Sequence, residues 1–431
     1  MKFVSTRGQA PAATFSEALR NGAAPDGGLY MPDLIPAAPP GLDPEAPLAD
    51  FATELLKPFF EGDSLAAELP AICAEAFNFP VPLVRPDPER PGLHAIELFH
   101  GPTGAFKDFG ARFLMGCFDR LGGGDSLNVL VATSGDTGGA VGCAAENRSS
   151  VRATILYPNA RVSPFQERQL TCWGDNVQAL DVDGDFDDCQ RLVKAALANA
   201  EMVSEHRLTS ANSINVGRLL PQLAYAGRAV LQVYARSGAK PGIIVPTGNL
   251  GHGFAVLLAK AMGLPVGPVV LATNANRTLK DWRETGKFAA RPSLETLANA
   301  MDVGNPSNFE RVVALGTEPA DVQVELVTDV QIRARVSADY ERSGHVWCPH
   351  SATAAEAYAR LAAEQRSERP WIVAATAHPY KFADVVEPLI GAKIEPTPAL
   401  AAIYERSTRK LEISADLGSL ESALRNRMAI A

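Results

Sequence analysis

From about residue 93, the chain alternates between two patterns of hydrophobic and polar residues. One pattern is typical of buried strands and the other of helices. Short apolar runs such as LNVLVA (127–132) and GIIVP (242–246) have the composition of buried strands. Each is followed by a segment whose apolar residues recur at helical spacing, such as GHGFAVLLAKA (251–261). Strands that alternate with helices indicate βαβ units and mainly parallel sheets. The pattern therefore predicts an α/β protein.

The predicted elements cover most of the chain between residues 47 and 379. Strands, with the turns that follow them, are predicted in 94–101, 127–136, 151–159, 176–184, 242–249, 269–276 and 370–379. Helices are predicted in 47–79, 106–121, 137–147, around 163–172, 186–199 and 250–263. Residues 206–230 are predicted to form a strand, a loop and a long helix, and 277–345 a mixed, partly helical segment.

Composition narrows the classes of protein that fit this pattern. The 431 residues are 46% hydrophobic and 21% charged, with a formal net charge of -9. An acidic surface disfavours nucleic acids and anionic membranes as partners. No apolar run reaches the roughly 18 residues of a membrane-spanning helix, and the first residues lack the pattern of a secretory signal. We therefore expect a cytoplasmic protein whose partner is a small molecule.

The six cysteines have irregular spacings, and no two of them form a C-x-x-C pair. A disulfide framework or a zinc site is therefore disfavoured, and buried thiols in a reducing compartment are expected. His345, Cys348 and His350 lie close together in sequence. A metal site there would need a fourth ligand in a fixed geometry, so it is the less favoured interpretation.

The first motif that could carry out chemistry is GPTGAFKDFG (101–110). It places Lys107 just after the end of a predicted strand. Ligands of α/β proteins bind at the carboxyl ends of strands. Loss of water there would lower the pKa of Lys107 and free its amine for Schiff-base chemistry. The alternative is a surface lysine at the start of a helix.

Two loops between a strand and a helix are rich in small residues that suit an anion at a helix N-terminus. The first loop contains Ser134, Gly135, Asp136, Thr137 and Gly138. The second contains Gly248, Asn249, Leu250 and Gly251. The second matches neither G-x-G-x-x-G nor a Walker sequence, which disfavours a dinucleotide or a triphosphate. Ordinary helix caps and turns are the alternative for both loops.

Two further polar groups follow predicted strands. Thr376, in ATAHP (375–379), has a hydroxyl that suits a ring nitrogen, or else caps a turn. The other group consists of Ser213, Asn215 and Arg218, with Asn212 beside them. The guanidinium of Arg218 suits a phosphate because it can bind two oxygens at once. A solvated helix face is the alternative for this arginine.

The motifs stand in the order FKDFG, SGDTG, NSIN, PTGNLG, TNAN and ATAHP, and together they resemble the threonine synthase family. STRG (5–8), PDGGLYMP (25–32) and MDVGNPSNFER (301–311) also resemble that family, so the similarity runs from Ser5 to about Phe382. The family consists of fold-type II enzymes that depend on pyridoxal 5′-phosphate, in the tryptophan-synthase β group. The resemblance implies O-phospho-L-homoserine as substrate, and L-threonine and phosphate as products.

The resemblance also implies a role for each motif. Lys107 corresponds to the lysine that forms a Schiff base with the cofactor, residues 248–251 to the cup for the cofactor phosphate, and Thr376 to the residue that faces the pyridine nitrogen. Residues 134–138 correspond to the loop that binds the α-carboxylate of the substrate. Ser213, Asn215 and Arg218 are candidates for the substrate phosphate.

The fold that the resemblance implies has two α/β domains with parallel sheets and the cofactor between them, with N-terminal and helical additions. We expect an N-terminal segment at 1–92 and a small α/β domain at 126–224. The large cofactor-binding domain is expected to combine 93–125 with 225–390, and to include the partly helical insertion at about 277–345. A helical tail is expected at 391–431.

Five positions depart from the family pattern: Gly139, His252, Arg277, Asp281 and Cys348. None removes a chemical group that the reaction needs. Two alternatives stay open at the level of sequence. One is a phospho-lyase on the same scaffold that forms 2-oxobutyrate, and the other is a ligand-binding homologue without catalysis, which Lys107 argues against. The oligomeric state is also left open.

Overall fold

The computed structural model describes residues 1–121, 126–159 and 162–428. The predicted domain boundary at residue 125 and residues 429–431 of the predicted tail lie outside these ranges. Within them the strands are β1 Phe3–Ser5, β2 Tyr30–Pro32, β3 Leu83–Val84, β4 Leu93–Glu97, β5 Leu127–Ala132, β6 Val151–Pro158, β7 Val177–Asp183, β8 Leu208–Ser210, β9 Gly242–Pro246, β10 Val269–Thr273, β11 Val322–Leu326, β12 Trp371–Ala375 and β13 Leu411–Ser414.

The helices connect these strands and cover both sheets. They are α1 Phe15–Asn21, α2 Leu48–Leu56, α3 Leu69–Ala76, α4 Lys107–Leu121, α5 Asp136–Ala145, α6 Pro164–Thr171, α7 Phe186–Ala198, α8 Ala200–His206, α9 Val216–Leu219, α10 Gln222–Ser237, α11 Gly251–Ala261, α12 Thr278–Thr285, α13 Phe309–Ala314, α14 Asp329–Ser343, α15 Pro349–Arg360, α16 Ala363–Glu368, α17 Ala383–Ile390, α18 Pro398–Ile403 and α19 Leu417–Met428. Short 3₁₀ turns lie at Lys57–Phe60, Ala66–Glu68, Asn299–Met301, Pro319–Asp321 and Pro379–Phe382.

Capping residues explain where several helices begin and end. The side chains of Thr14, Ser163 and Asn199 accept hydrogen bonds from backbone N–H groups in the first turns of α1, α6 and α8. These bonds satisfy donors that have no partner inside the helix. Helices α10 and α14 end at Gly238 and Gly344, which adopt the left-handed conformation that favours glycine.

The strands form two large sheets and one small ribbon. The six-stranded sheet has the order β11-β10-β9-β12-β4-β3 and is parallel except for the antiparallel pair β3 and β4. The five-stranded sheet has the order β13-β7-β6-β5-β8 and is parallel throughout. Strands β1 and β2 form an antiparallel ribbon. The predicted α/β architecture with two parallel sheets is confirmed.

Every residue of β5, β9 and β12 is buried, as expected for parallel strands covered by helices on both faces. Helix α4 packs against α3 on one side and against α5 on the other. Its Phe109, Leu114 and Phe118 are fully buried in the largest hydrophobic core. Lys107, the first residue of α4, therefore starts from a helix that is held firmly in the core.

Two edge strands differ from the sequence prediction. Strand β11 lies within the segment 277–345 that was expected to be mixed, and β13 lies within the tail that was expected to be helical. Strand β11 buries Val322 and Val324 against β10, while β13 buries only Ile413 against β7. A short edge strand with one buried side chain has too weak a hydrophobic pattern to be recognised. The tail is therefore not helical throughout, and the division into domains stays a prediction.

Candidate active site

The loop before Lys107 is held beside the loop that contains Thr376. The N–H of Phe106 donates to the carbonyl of Thr376 at 2.8 Å, and Ala105 forms an isolated bridge with Ala377. The two loops follow β4 and β12, which are neighbours in the large sheet. This pairing places Lys107 and Thr376 at the same carboxyl edge of that sheet, where ligands of α/β proteins bind.

The environment of Lys107 shifts its amine toward the neutral form. Burial, with a smaller contribution from the positive charge of Arg218, lowers the pKa of Lys107 from 10.5 to about 8. The carboxylate of Asp136 acts in the opposite direction. The amine lies 4.5 Å from the centroid of the Phe106 ring. An amine with a pKa near neutrality is available both as a nucleophile and as a base.

The loop at 248–251 presents backbone N–H groups at the start of helix α11. In the described part of the chain, the N–H groups of residues 248–251 donate no hydrogen bond. Leu250 has φ 62°, in the left-handed region that few residues other than glycine adopt. Because the N-terminus of a helix carries partial positive charge, four such amides form an anion site without a charged side chain.

The cup is held in place by neighbouring loops. The Asn249 side chain donates to the Ser213 hydroxyl at 2.9 Å and accepts from the N–H of Ser307. Gly248 approaches the backbone of Met301 so closely that an added Cβ would lie 2.7 Å from the Met301 Cα. Glycine is therefore required at residue 248 by packing.

Thr376 has a free hydroxyl at the cavity. Its N–H donates to the Ser351 hydroxyl at 2.9 Å, whereas among the described residues its own hydroxyl makes no hydrogen bond. Thr376 is buried and borders the same cavity as Lys107. Its hydroxyl is thus available to a group bound in the cavity.

The loop at 134–138 is organised around the hydroxyl of Thr133. The N–H groups of Gly135 and Gly138 donate to this hydroxyl at 3.0 and 2.9 Å. Gly135 has φ 136°, a conformation that favours glycine. Ser134, Asp136 and Thr137 border the cavity, whereas Gly135 and Gly138 do not. The two glycines shape the loop, since their amides are already occupied.

Arg218 is a buried cation without a carboxylate partner among the described residues. One Nη donates to the carbonyl of Ala211, and its Nε has no partner. Burial lowers the pKa of Arg218 to about 10, opposed by Asp108, so the guanidinium remains charged at neutral pH. Ser213 borders the same cavity, and its hydroxyl accepts from Asn249 and Asn308. Its own hydrogen is therefore free to donate.

Asn215 does not border the cavity. Its side chain donates to the carbonyls of Leu19 and Ser210 and accepts from the N–H of Gly217. All of its hydrogen-bonding capacity is used to cap helix α9 and hold the preceding loop. The predicted contact between Asn215 and the substrate stays untested, and these bonds favour a structural role for this residue.

Apart from Gly135, Gly138 and Asn215, the predicted residues meet in one cavity between the two sheets. The predicted residues that border it are Lys107, Ser134, Asp136, Thr137, Ser213, Arg218, Gly248, Asn249, Leu250, Gly251 and Thr376. The cavity therefore combines one amine of low pKa, one cup of backbone amides and one separate cation.

Sequence reasoning did not single out several residues at this site. His350 was considered only as a metal ligand, yet it borders the cavity. Its Nε2 accepts from the N–H of Ala300 at 3.1 Å, and burial lowers its pKa to about 4, so the ring is neutral. Lys381 and Gln166 contact Asp136. Lys381 stands two residues after the ATAHP motif. This closeness to a candidate motif is the one feature of the sequence that could indicate a place near the site.

The departures from the family pattern have local explanations. Cys348 caps helix α15 by accepting from the N–H of Ser351, as an aspartate would. Arg277 and Asp281 pair with each other, Nε to Oδ1, at 2.7 Å. His252 borders the cavity and stacks on Phe106, and burial lowers its pKa to about 3.

The fifth departure, Gly139, lies in helix α5 beside Gln169.

Within the described ranges, no group of three or more His, Cys, Asp or Glu side chains is placed to hold a metal ion. No helix in these ranges is long and apolar enough to cross a membrane. The six cysteines are free thiols, five of them buried.

Comparison with known proteins identifies the class to which this cavity belongs. The family model described as pyridoxal-phosphate dependent enzyme matches residues 81–376, which include both the amine and the cup. The chain therefore belongs to the pyridoxal-phosphate dependent enzymes. Two further models, described as threonine synthase N terminus and threonine synthase, C-terminal, match residues 2–77 and 351–424. Within its class, the chain is a member of the threonine synthase family.

Relatives and solved structures agree with this membership. The chain is 37% identical to threonine synthase of Haemophilus influenzae over 88% of this chain and 89% of that protein. It is 34% identical to threonine synthase of Escherichia coli over 99% and 100%. The crystal structure of the Escherichia coli enzyme matches with TM-score 0.92 and 32% identity, covering 99% of this chain and 100% of that one. A threonine synthase from Brucella melitensis with bound pyridoxal phosphate matches with TM-score 0.89 and 34% identity, covering 99% of each chain.

Proposed function

We propose that this protein converts O-phospho-L-homoserine and water to L-threonine and phosphate, with pyridoxal 5′-phosphate as its cofactor. One observation supports the choice of substrate: two chemically different groups that suit an anion line the cavity. The unused amides of 248–251 are one such group, and the buried guanidinium of Arg218, with Ser213 also on the cavity wall, is the other. A phosphorylated cofactor and a phosphorylated substrate together require two such sites. The cytoplasmic location expected from the sequence stays a prediction.

The residues present fit the cofactor. The unused amides of 248–251 would hold its phosphate, Lys107 would form the covalent link, and the Thr376 hydroxyl would face the pyridine nitrogen. When bound, the cofactor withdraws electrons from the substrate carbons near the amine. A hydroxyl at the pyridine nitrogen cannot keep that nitrogen protonated as a carboxylate would, which favours elimination over transamination.

The side chains that line the cavity have different roles in the reaction. The freed amine of Lys107 accepts the proton from Cα as a general base. Loss of a proton from Cβ then allows phosphate to leave from Cγ. Arg218 and the hydroxyl of Ser213 stabilise the charge on the leaving phosphate. A proton is then added at Cγ, which becomes the methyl group of the product. Water adds its hydroxyl at Cβ while the cavity walls exclude other solvent, and return of a proton to Cα gives threonine.

Product analysis tests the proposal. We expect L-threonine to exceed 2-oxobutyrate by a wide margin when phosphohomoserine is supplied, because retained phosphate beside Cβ would position the attacking water. Amino-acid and keto-acid assays on the same sample measure both products, with release of phosphate as the measure of total turnover. Equal or greater formation of 2-oxobutyrate would identify a phospho-lyase instead.

Replacement of Arg218 tests the second anion site. Charge-assisted hydrogen bonds contribute about 1.5–3 kcal/mol each, so Arg218→Ala should lower kcat/KM roughly ten- to a hundredfold. Cofactor content, measured from the absorbance of the purified protein, should stay constant because the cup consists of backbone amides and does not include the guanidinium. The matched control is Arg236→Ala, since Arg236 is exposed at the end of α10. Loss of cofactor with unchanged substrate affinity would assign Arg218 to the cofactor phosphate.

A further inference from the structure

A second buried lysine lies behind the wall of the cavity. The amine of Lys381 lies 2.9 Å from Oδ1 of Asp136 and donates to the carbonyl of Thr103 at 2.9 Å. Both charged side chains are almost completely buried, with Lys381 1% exposed and Asp136 5% exposed. Lys381 does not border the cavity, whereas Asp136 does. The reaction proposed above assigns no role to this pair.

The ion pair joins the two sheets across the cavity. Asp136 begins helix α5, after strand β5 of the small sheet, and Lys381 lies in the 3₁₀ turn after strand β12 of the large sheet. Thr103 lies in the loop between β4 and Lys107. The amine of Lys381 therefore connects three segments. These are the loop at 134–138, the loop that precedes Lys107 and its own segment after Thr376.

Asp136 retains its negative charge in this setting. Although burial acts to raise the pKa of Asp136, Lys381 and then His350 hold it below its usual value, and Gln166 donates a hydrogen bond at 3.1 Å. The charge of Asp136 also acts on Lys107, where it opposes the lowering of the pKa by burial. Lys381 is the cation in direct contact with Asp136, at 2.9 Å.

This charge conflicts with the role expected of its loop. The resemblance implies that this loop binds the α-carboxylate of an amino acid, and Ser134, Asp136 and Thr137 are its residues on the cavity wall. A bare carboxylate at Asp136 would repel such a ligand. In a buried site of low effective dielectric, such repulsion is far stronger than in water. The loop can therefore accept an anion only if a cation outside the cavity neutralises the charge of Asp136. Lys381 is in that position.

We propose that Lys381 is a positioning residue that neutralises Asp136 and so makes the substrate loop selective for ligands that carry an α-carboxylate. The proposal rests on the proposed function to the extent that the substrate is an amino acid. It does not depend on which product forms or on where the substrate phosphate binds. Lys381 acts through Asp136, without contact with the substrate.

Two probes that differ only in a carboxylate provide the test. L-norvaline and n-butylamine are titrated into the holoenzyme, and binding is followed by the change in absorbance of the cofactor. In Lys381→Met we expect the affinity for L-norvaline to fall roughly tenfold or more, since an uncompensated charge then faces the carboxylate. The affinity for n-butylamine should not fall. The conservative variant Lys381→Arg should retain the preference for L-norvaline.

The double variant Lys381→Met with Asp136→Asn separates charge from packing. Removal of both charges should restore most of the lost affinity for L-norvaline. Equal weakening of both probes in Lys381→Met, or no recovery in the double variant, would overturn the proposal. If Lys381→Met does not fold, Asp136→Asn alone decides, because the remaining Lys381 should keep or strengthen the binding of L-norvaline. A selective loss of L-norvaline binding in Asp136→Asn would then overturn the proposal.

Discussion

Lys107→Ala is expected to prevent covalent attachment of pyridoxal phosphate and to lower kcat by at least roughly 10²–10⁴-fold, the usual contribution of a general base. The variant lacks the amine that we propose both as the link to the cofactor and as the base that accepts the proton from Cα. Turnover of phosphohomoserine measures the second effect. Borohydride reduction of the holoenzyme, followed by peptide mapping, measures the first, and the label should lie on Lys107.

The matched control is Lys260→Ala, an exposed lysine on helix α11 that should leave both measurements unchanged. Lys381 is the other lysine that could carry the pyridoxyl label, because it is also buried near the cavity. Its amine is already bound to Asp136 and to the carbonyl of Thr103, whereas the amine of Lys107 borders the cavity. A borohydride label on Lys381, or an active Lys107→Ala variant, would refute the assignment.

Gly248→Ala is expected to weaken the binding of pyridoxal phosphate roughly fivefold to a hundredfold. The new Cβ would lie 2.7 Å from the Cα and 2.9 Å from the carbonyl oxygen of Met301. Both are backbone atoms, so the cup itself has to move. Overpacking of this kind costs about 1–3 kcal/mol, and every 1.4 kcal/mol lost by the bound form reduces affinity tenfold.

Gly251→Ala is the comparison that separates this clash from a general effect of substitution in the cup. Its new Cβ would lie 3.4 Å from the nearest atom, the Cβ of Ser213, which is an ordinary contact. We therefore expect a much smaller loss of affinity than in Gly248→Ala. Titration of each apoprotein with the cofactor measures affinity, and thermal unfolding of the apoproteins shows whether the fold is retained. Equal losses in the two variants would contradict this account of the cup.

The arrangement of the cavity follows from the sequence to a large extent, and for a physical reason. Lys107, residues 248–251 and Thr376 follow strands of the same parallel sheet, and the carboxyl ends of such strands lie at one edge. A motif placed after a predicted strand therefore has a predictable location. Buried parallel strands also have continuous apolar sequences, which makes them easy to recognise.

The directions of individual side chains could not be predicted in the same way. Asn215 stands among polar residues in the sequence, but its contacts with Leu19 and Ser210 turn it away from the cavity. The amides of Gly135 and Gly138 are occupied by the hydroxyl of Thr133, which was not considered. Lys381 meets Asp136 only because two separate sheets face each other. Such contacts between distant segments leave no local pattern in a single sequence.

Each sheet is assembled from separate parts of the chain, and this has a consequence for biosynthesis. The small sheet begins at β5, but its outer strand β13 follows β12, the last strand of the large sheet. Loop closure over such distances slows folding, because its entropic cost precedes the gain from contacts. On the ribosome, the small sheet therefore remains incomplete until the large sheet has been fully translated, so the cleft between them is a late product of folding.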